Sequence, residues 1–350
     1  MNPELETIKP ILMKSYDGLP YYLKACFLYL AIFPEDRRRL VRRWIAEGYS
    51  SEMCGKSVEE VLDSYFMELI SRSMILPSQQ SIHSRKGIDS CHVHDLIREI
   101  ATSKSKEENL VFTLEEGCSL NNQGTVRHLA VSSDWKGDQS EFENIVRSLT
   151  EFGNWRPFYT SDKIRLLRVL DLEGKWDLVD HHLEHIGKLV HLRYLSLRGH
   201  ADIFHLPNSL GNLIQLHTLD ISAGLSGCLD GMSSPPENLQ SLKWIQGLKN
   251  LVKLKLEGSR ISEHDAAIQV LGNLPNLATL RLLDYSFDGE EVCFSFRREA
   301  FPSLNVLELY CIGNLKSVGF EGAAPKLELL QYVGLFCGLA YLPSLKEFML

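Results

Sequence analysis

No two of the eight cysteines form a Cys-x-x-Cys pair; they are scattered at 26, 54, 91, 118, 228, 293, 311 and 337. That spacing suggests neither a zinc site nor a disulfide framework, and reduced thiols in a cytosolic or nuclear compartment are the simplest reading. Long apolar runs are missing too. The longest, Ala25 to Phe33, falls far short of the roughly 20 residues that cross a bilayer. The first residues, Met-Asn-Pro-Glu-Leu-Glu, have no basic run leading into an apolar core, so no secretory leader is expected and a cytoplasmic location is. Positive charge is in deficit: 37 Lys and Arg stand against 45 Asp and Glu, a net charge of −8. Nucleic-acid binding, which needs a concentrated basic face, is not expected on that balance. Catalytic signatures are also absent. There is no nucleophile elbow, no His-Glu-x-x-His and no carboxylate pair in a recognisable cleft, so the sequence does not predict an enzyme.

The second half is rich in leucine at fixed intervals. Leu166-Leu167-Arg168-Val169-Leu170-Asp171-Leu172 is followed by Leu192-Arg193-Tyr194-Leu195-Ser196-Leu197. The frame Leu-x-x-Leu-x-Leu returns at Leu216/Leu219/Ile221, Leu251/Leu254/Leu256, Leu277/Leu280/Leu282 and Leu304/Leu307/Leu309. Most successive frames start 23 to 27 residues apart, the period of leucine-rich repeats. Period two sends the framing leucines to one side of a short strand, inside a coil, and leaves the x residues on the concave side. Leucines in Ile186-Gly187-Lys188-Leu189, Leu210-Gly211-Asn212-Leu213 and Leu271-Gly272-Asn273-Leu274 fill the returning convex arc. Such an array, about eight to ten coils here, offers a binding surface rather than a catalytic crevice. Between Ser222 and Asn250 the frame is irregular, around Ser233-Ser234-Pro235-Pro236, and the last frame, Leu345/Phe348/Leu350, stops without a polar cap.

Residues 1–105 read differently. Pro20 opens a helix that carries Leu23, Cys26, Phe27 and Leu30 on one face and ends at Phe33-Pro34, because proline cannot continue the ladder. A second helix turns Leu40, Val41, Trp44 and Ile45 inward and stops at Gly48, which tolerates the left-handed cap. Ser57 and Glu60 form a capping-box signature before Val61, Leu62, Tyr65, Phe66, Leu69 and Ile70. Met74-Ile75-Leu76 and Cys91-His92-Val93 predict two short strands around a polar hairpin, Pro77 to Ser90, before a last helix from about Asp95. Residues 106–125 are polar and turn-rich and read as a linker, with the repeats occupying 126–350. The expected architecture is an α+β winged-helix domain followed by an α/β leucine-rich-repeat solenoid with a parallel sheet.

Within the first part, Ser15-Tyr16-Asp17-Gly18-Leu19-Pro20, Leu23-Lys24-Ala25-Cys26-Phe27-Leu28-Tyr29-Leu30 and Ile32-Phe33-Pro34-Glu35-Asp36 stand in that order. Trp44-Ile45-Ala46-Glu47-Gly48, Tyr65-Phe66-Met67-Glu68-Leu69-Ile70-Ser71-Arg72-Ser73 and Val93-His94-Asp95-Leu96 follow. The series resembles the winged helix of plant nucleotide-binding leucine-rich-repeat disease resistance proteins. Val93-His94-Asp95 looks like their Met-His-Asp motif with valine for methionine, and Arg127-His128-Leu129 looks like the start of the repeats in their coiled-coil class. The family's Gly-rich phosphate loop, acidic magnesium strand and Gly-Leu-Pro-Leu segment have no counterpart here. The chain therefore resembles the C-terminal portion of such a receptor.

The resemblance implies an intracellular immune sensor. Its repeats would recognise a pathogen effector or a guarded host protein and hold the nucleotide-binding domain closed, while the winged helix relays an ADP/ATP-dependent switch. It also implies that His94 contacts the β-phosphate of ADP, with Asp95 capping the following helix or orienting its neighbours. ADP or ATP belongs to the intact family, and no nucleotide is expected on this chain alone. The plain alternative for His94-Asp95 is a helix-capping pair with no ligand. Arg37, Arg38, Arg39, Arg42 and Arg43 form the only basic cluster; it reads as a solvated helix face or a partner-domain contact, with DNA phosphates the other reading. His181, His182 and His185 include a metal-compatible i, i+4 pair but lack further ligands, and Cys91-His92 reads as strand. Tyr194, Arg193, Arg198, Lys253, Lys255, Arg281 and Glu308 are expected on the concave face, where mixed charge and aromatics suit protein recognition. Two other functions fit the same residues: a regulator or scaffold that binds an intact resistance protein in trans, and a DNA-binding winged helix with accessory repeats.

Overall fold

Stretches of alternating and helical apolar period follow one another along this chain, and each takes the structure its period dictates. The computed structural model describes residues 3–31, 37–50, 55–80, 88–115, 126–132, 135, 146–152, 164–173, 180–198, 206–222, 242–259, 261, 263–287, 291–310, 312, 315–332 and 335–349. They fold as two compact units, Met1–Thr150 and Glu151–Leu350.

The first unit opens with helix α1 (Pro3–Asp17), which the sequence reading did not place. It lies on a later helix: Tyr16 donates to Glu108 Oε1 at 2.6 Å, and Lys9 pairs with Glu99 at 2.8 Å. Helix α2 (Tyr21–Tyr29) has Pro20 at its N-cap and buries Leu23, Cys26, Phe27 and Leu28. It stops at Leu30, before Pro34, which lies outside the described residues. Helix α3 (Arg37–Glu47) ends at Gly48, whose φ of 79° is the left-handed cap its position requires. Helix α4 (Val58–Ser71) has the reciprocal capping box: Glu60 N–H donates to Ser57 Oγ, and Ser57 N–H donates to Glu60 Oε2.

Strands β1 (Leu76–Gln80) and β2 (Ile88–His92) pair antiparallel, with Leu76 opposite His92. They reach further into the polar hairpin than expected, since a ladder needs only backbone groups. Helix α5 (Asp95–Glu107) follows. The segment read as a linker then holds strand β3 (Val111–Leu114), which pairs parallel with β4 (His128–Val131); residues 116–125 lie outside the described ones. Val-Phe-Thr-Leu has the β-branched and aromatic content of a strand, and the polar residues around it hid that signal. Strand β5 (Ser148–Phe152) begins as this unit ends, with Arg147 and Ser148 N–H both donating to the Arg127 carbonyl.

The second unit carries the repeats. Strands β6 (Val169–Glu173), β7 (Tyr194–Arg198), β8 (Thr218–Ser222), β9 (Lys253–Glu257) and β10 (Thr279–Leu282) lie side by side, all parallel. Leu170, Leu195, Leu219, Leu254 and Leu280 stand in register across them. After β11 (Val292–Phe296), the ladder continues from β10 to β12 (Val306–Leu309). Then, past β13 (Leu315–Phe320), it reaches β14 (Leu329–Tyr332), and past β15 (Leu335–Cys337) it ends at β16 (Glu347–Met349). Each framing leucine is at most 2 % exposed from Leu167 to Leu309, a burial worth about 1.5–3 kcal/mol per side chain.

The convex side changes character along the array. It is helical at α6 (Asp180–Ile186), at the 3-10 turns Asn208–Asn212 and Leu242–Gly247, and at α7 (His264–Gly272). Beyond α7 it becomes a second parallel sheet, β11–β13–β15. Val292, Phe294 and Phe296 alternate inward there, and Phe296 stacks on Phe320 at 5.0 Å. The leucine frame does not announce this second sheet; its signal in the sequence is the alternation of Val292, Phe294 and Phe296. Staples between repeats were missed as well. Asn250 Nδ2 donates to the Ile214 carbonyl and Asn276 Nδ2 to the Lys249 carbonyl, each at 2.8 Å.

The helical arcs stack so closely that a side chain has no room at some positions. A Cβ on Gly211 would lie 2.6 Å from the Trp244 carbonyl oxygen. Gly211→Ala is therefore expected to lower stability by about 1–3 kcal/mol, read as a lower urea midpoint with an unchanged slope.

Candidate functional site

The sequence singled out one residue for ligand chemistry, His94, and the structure places it at the N-cap of α5. Leu96 N–H donates to its Nδ1 at 3.3 Å. A ring nitrogen that accepts a hydrogen bond carries no proton, so the neutral ring keeps its proton on Nε2. The exposed imidazole is thus a cap on one side and a free N–H donor on the other. The N-terminal end of a helix favours negative charge, which makes this a reasonable place to meet a phosphate oxygen.

Asp95 does not take the cap; it is the first residue of the helix. Its carboxylate favours the helix dipole and disfavours an anion beside it. Arg98, one turn on, is half-buried, and its Nε has no hydrogen-bond partner. These residues fit a single contact to a phosphate. A complete cradle would need further donors, and the sequence has no Gly-rich loop to supply them.

Two of the five arginines of the basic cluster do not lie on a solvated face. Arg42 is 8 % and Arg43 0 % exposed, while the side chains of Arg37 and Arg38 lie outside the described residues. Arg43 Nη1 donates to Thr150 Oγ1 at 3.4 Å. Leu40, Val41, Trp44, Ala46 and Glu47 of helix α3 are enclosed together with Arg42 and Arg43. Buried as they are, Arg42 and Arg43 present no cations to a DNA backbone.

His185 falls on α6, with Nδ1 3.5 Å from Lys188 Nζ, and the side chains of His181 and His182 lie outside the described residues. Among the described residues no group of His, Cys, Asp and Glu is arranged to hold a metal. Cys91 is buried in β2 and His92 exposed at its end, as strand residues.

The concave positions of the repeats are less open than expected. Tyr194 is buried, as are Asp171, Ser196, Thr218, Asp220 and Lys253. Several of the remaining charges answer neighbours within the sheet, along a strand or across to the next. Lys255 donates to Ser222 and pairs with Glu257 at 2.8 Å, and Ser222 donates to Asp220. Arg281 holds Glu308 through two contacts, at 2.7 and 2.9 Å. Exposed aromatics sit just past the strands instead: Tyr285 after β10 and Tyr310 after β12.

The family model for the disease resistance protein winged helix domain matches residues 32–101, a span that contains His94, and a leucine-rich repeat region matches residues 145–230. The chain is 37% identical over 226 residues to disease resistance protein PIK6-NP of Oryza sativa subsp. japonica, covering 61% of this chain and 21% of that protein. It is 29% identical over 369 residues to the probable disease resistance protein RXW24L of Arabidopsis thaliana, covering 89% and 41%. With the probable disease resistance protein RF45 of the same plant it shares 34% over 300 residues, covering 79% and 29%. The chain thus spans between 21% and 41% of the length of these relatives. No described helix is long and apolar enough to cross a membrane.

Two predictions follow from ring nitrogens. His94→Leu removes the cap on Leu96 and should cost about 0.5–1 kcal/mol, whereas His94→Ser restores a capping oxygen and should recover most of it; thermal unfolding of the two variants checks this. Burial, and then the charge of Arg193, hold the His217 imidazole below its ordinary value. The unfolded chain therefore binds the proton more readily, and the stability this group contributes is present above about pH 6.5 and lost as pH falls below it. Urea midpoints taken from about pH 7.5 to about 5.5 should fall, and His217→Gln should flatten that slope.

Proposed function

We propose that this chain, which belongs to the plant disease resistance proteins that join a winged helix to leucine-rich repeats, is the sensing and relay portion of an immune receptor. The repeats recognise a pathogen effector or a guarded host protein and restrain a nucleotide-binding module. The winged helix converts the bound nucleotide into a conformation. The observation that carries this reading is His94: its Nδ1 is engaged by Leu96 N–H, which leaves Nε2–H to donate.

In the restrained state His94 donates from Nε2 to the terminal phosphate of ADP, while the other phosphate contacts come from a module outside this sequence. His94 would thereby favour the closed arrangement while ADP is bound, and the winged helix would be free of that contact once ADP is lost. Binding of the recognised protein shifts the population toward the open state, which requires that it bind that state better. No hydrolysis is assigned to residues of this chain, and the receptor is proposed to act in the cytoplasm.

The test joins this chain to the nucleotide-binding module of a relative and measures ADP retention and effector-independent cell death in leaves. A hydrogen bond to a charged group contributes about 1.5–3 kcal/mol. His94→Ser, which keeps the helix cap, should weaken ADP retention by roughly 10- to 150-fold. Asp95→Val should loosen the resting state and cause constitutive cell death. Unchanged ADP retention in His94→Ser together with silent Asp95→Val would overturn the reading. Coprecipitation of the wild-type chain with intact relatives, in that case, would point to a regulator acting in trans.

A further inference from the structure

One exposed side chain of the repeats stands in a backbone conformation that its residue type rarely takes. Tyr285, three residues past β10, has a φ of 52° and is 53 % exposed. In that left-handed region a Cβ crowds the backbone, and glycine or asparagine fills such positions with less strain.

The segment around the ring is fixed. Leu283 N–H donates to the Leu256 carbonyl at 2.9 Å, and Gly258 N–H donates to the Asp284 carbonyl at 2.7 Å. Ser286 Oγ donates to the Leu256 carbonyl at 2.8 Å, and Ile261 N–H donates to the Ser286 carbonyl at 3.0 Å. Ser286 and Phe287 are buried, and Phe287 packs edge-on against Phe294 at 5.0 Å between centroids. These ties join the loop after β9 to the loop after β10, and Tyr285 projects from them. More than half of it stays in water, so packing does not account for a tyrosine at this φ. Strained positions of this kind cluster at binding sites, where the displayed side chain has a use.

The charge beside Tyr285 is unmatched. Asp284 is half-buried, and among the described residues its carboxylate has no hydrogen-bond or ion-pair partner. On the neighbouring strands Lys255 pairs with Glu257, and Arg281 with Glu308. An aromatic face attracts a cation, and a carboxylate accepts the N–H groups of a cation. A guanidinium suits both, because it is planar, stacks on rings and is weakly hydrated, whereas an ammonium is compact and strongly hydrated.

We propose that Asp284 and Tyr285 form a recognition point for an arginine side chain on a protein segment that docks at this end of the sheet. The ring takes the guanidinium plane, and the carboxylate takes its N–H groups. Tyr310, 51 % exposed, leaves the same end one coil on, since its N–H donates to the Leu282 carbonyl at 3.1 Å. The proposal rests on the resistance-receptor reading for what the docked protein is, and on the loop itself for the chemistry that selects it.

The test uses the full chain and a defined probe, a phage-displayed library of random dodecapeptides. Peptides are selected on the wild-type chain after depletion on Tyr285→Asn, which keeps a residue that tolerates the left-handed backbone. Arginine should be enriched over the unselected library, and synthetic copies of the survivors should bind Asp284→Asn about ten-fold more weakly. No survivors, survivors without arginine, or survivors indifferent to Asp284→Asn would each overturn the recognition point. Thermal unfolding separates binding from folding. Tyr285→Asn should melt no lower than wild type, and a lower melting temperature would assign the ring to the fold and overturn the proposal. In the joined receptor, Tyr285→Asn should leave the cell death caused by Asp95→Val unchanged, because recognition precedes the relay. Its loss in the double variant would place Tyr285 in the relay and sink the proposal. If Asp95→Val signals but no arginine peptide is found, the recognition point falls and the receptor reading stands. If the peptides bind as expected and Asp95→Val is silent with ADP retention unchanged in His94→Ser, the receptor reading falls and the recognition point stands.

Discussion

A coil of leucine-rich repeat cannot bury its own leucines, and most of this structure answers that constraint. Each framing leucine finds its apolar surroundings only when another coil is laid against it. The backbone supports the stacking from repeat to repeat: Arg193 and Tyr194 N–H converge on the Arg168 carbonyl, His217 and Thr218 on Arg193, and Ala278 and Thr279 on Val252. Side chains such as Asn250 and Asn276 add a second tie on the turn before the strand. Where the arcs come closest, glycine replaces any larger residue. Register, staples and glycines are consequences of one requirement, contact between neighbours.

The same constraint explains the first unit. An initial leucine strand has a neighbour on one side only and needs a cover on the other. Here β3 follows directly on α5, the Leu110 N–H closes onto the Ser105 carbonyl, and β4 pairs along β3. Helices α2 and α3 cover the opposite face of β4 and β5 with tyrosine, arginine and glutamate rather than leucine. A winged helix and the opening strands therefore share one compact unit, Met1–Thr150.

What could be read in the sequence was local. Ser57 and Glu60 announce a helix start because both halves of the capping box lie three residues apart, and Gly48 announces a stop because the cap needs a positive φ. Leucine spacing exposed the parallel ladder for the same reason: period two and the repeat length are both written along the chain. The N-cap position of His94 was one residue away from the expected cap, Asp95, since an imidazole is a less common capping acceptor than a carboxylate. Relations across distance were illegible. Tyr49 and His128 are 79 residues apart, and nothing in either neighbourhood signals the other. The arginines of α3 misled for a related reason: a helix face that looks solvated by composition is enclosed once α4, β2 and β5 are in place.

The distribution of charge on the repeats bears on what they bind. Arg281 and Glu308, and Lys255 with Ser222 and Glu257, satisfy one another within the sheet. A partner that covers such a pair must desolvate both ions and gains little new pairing in return, so these residues contribute more to shape than to attraction. Exposed Tyr285 carries no such penalty, because an aromatic ring buries a large area with few rotors to fix. Affinity for a protein partner would then concentrate at the strand ends rather than on the internally paired positions of the sheet.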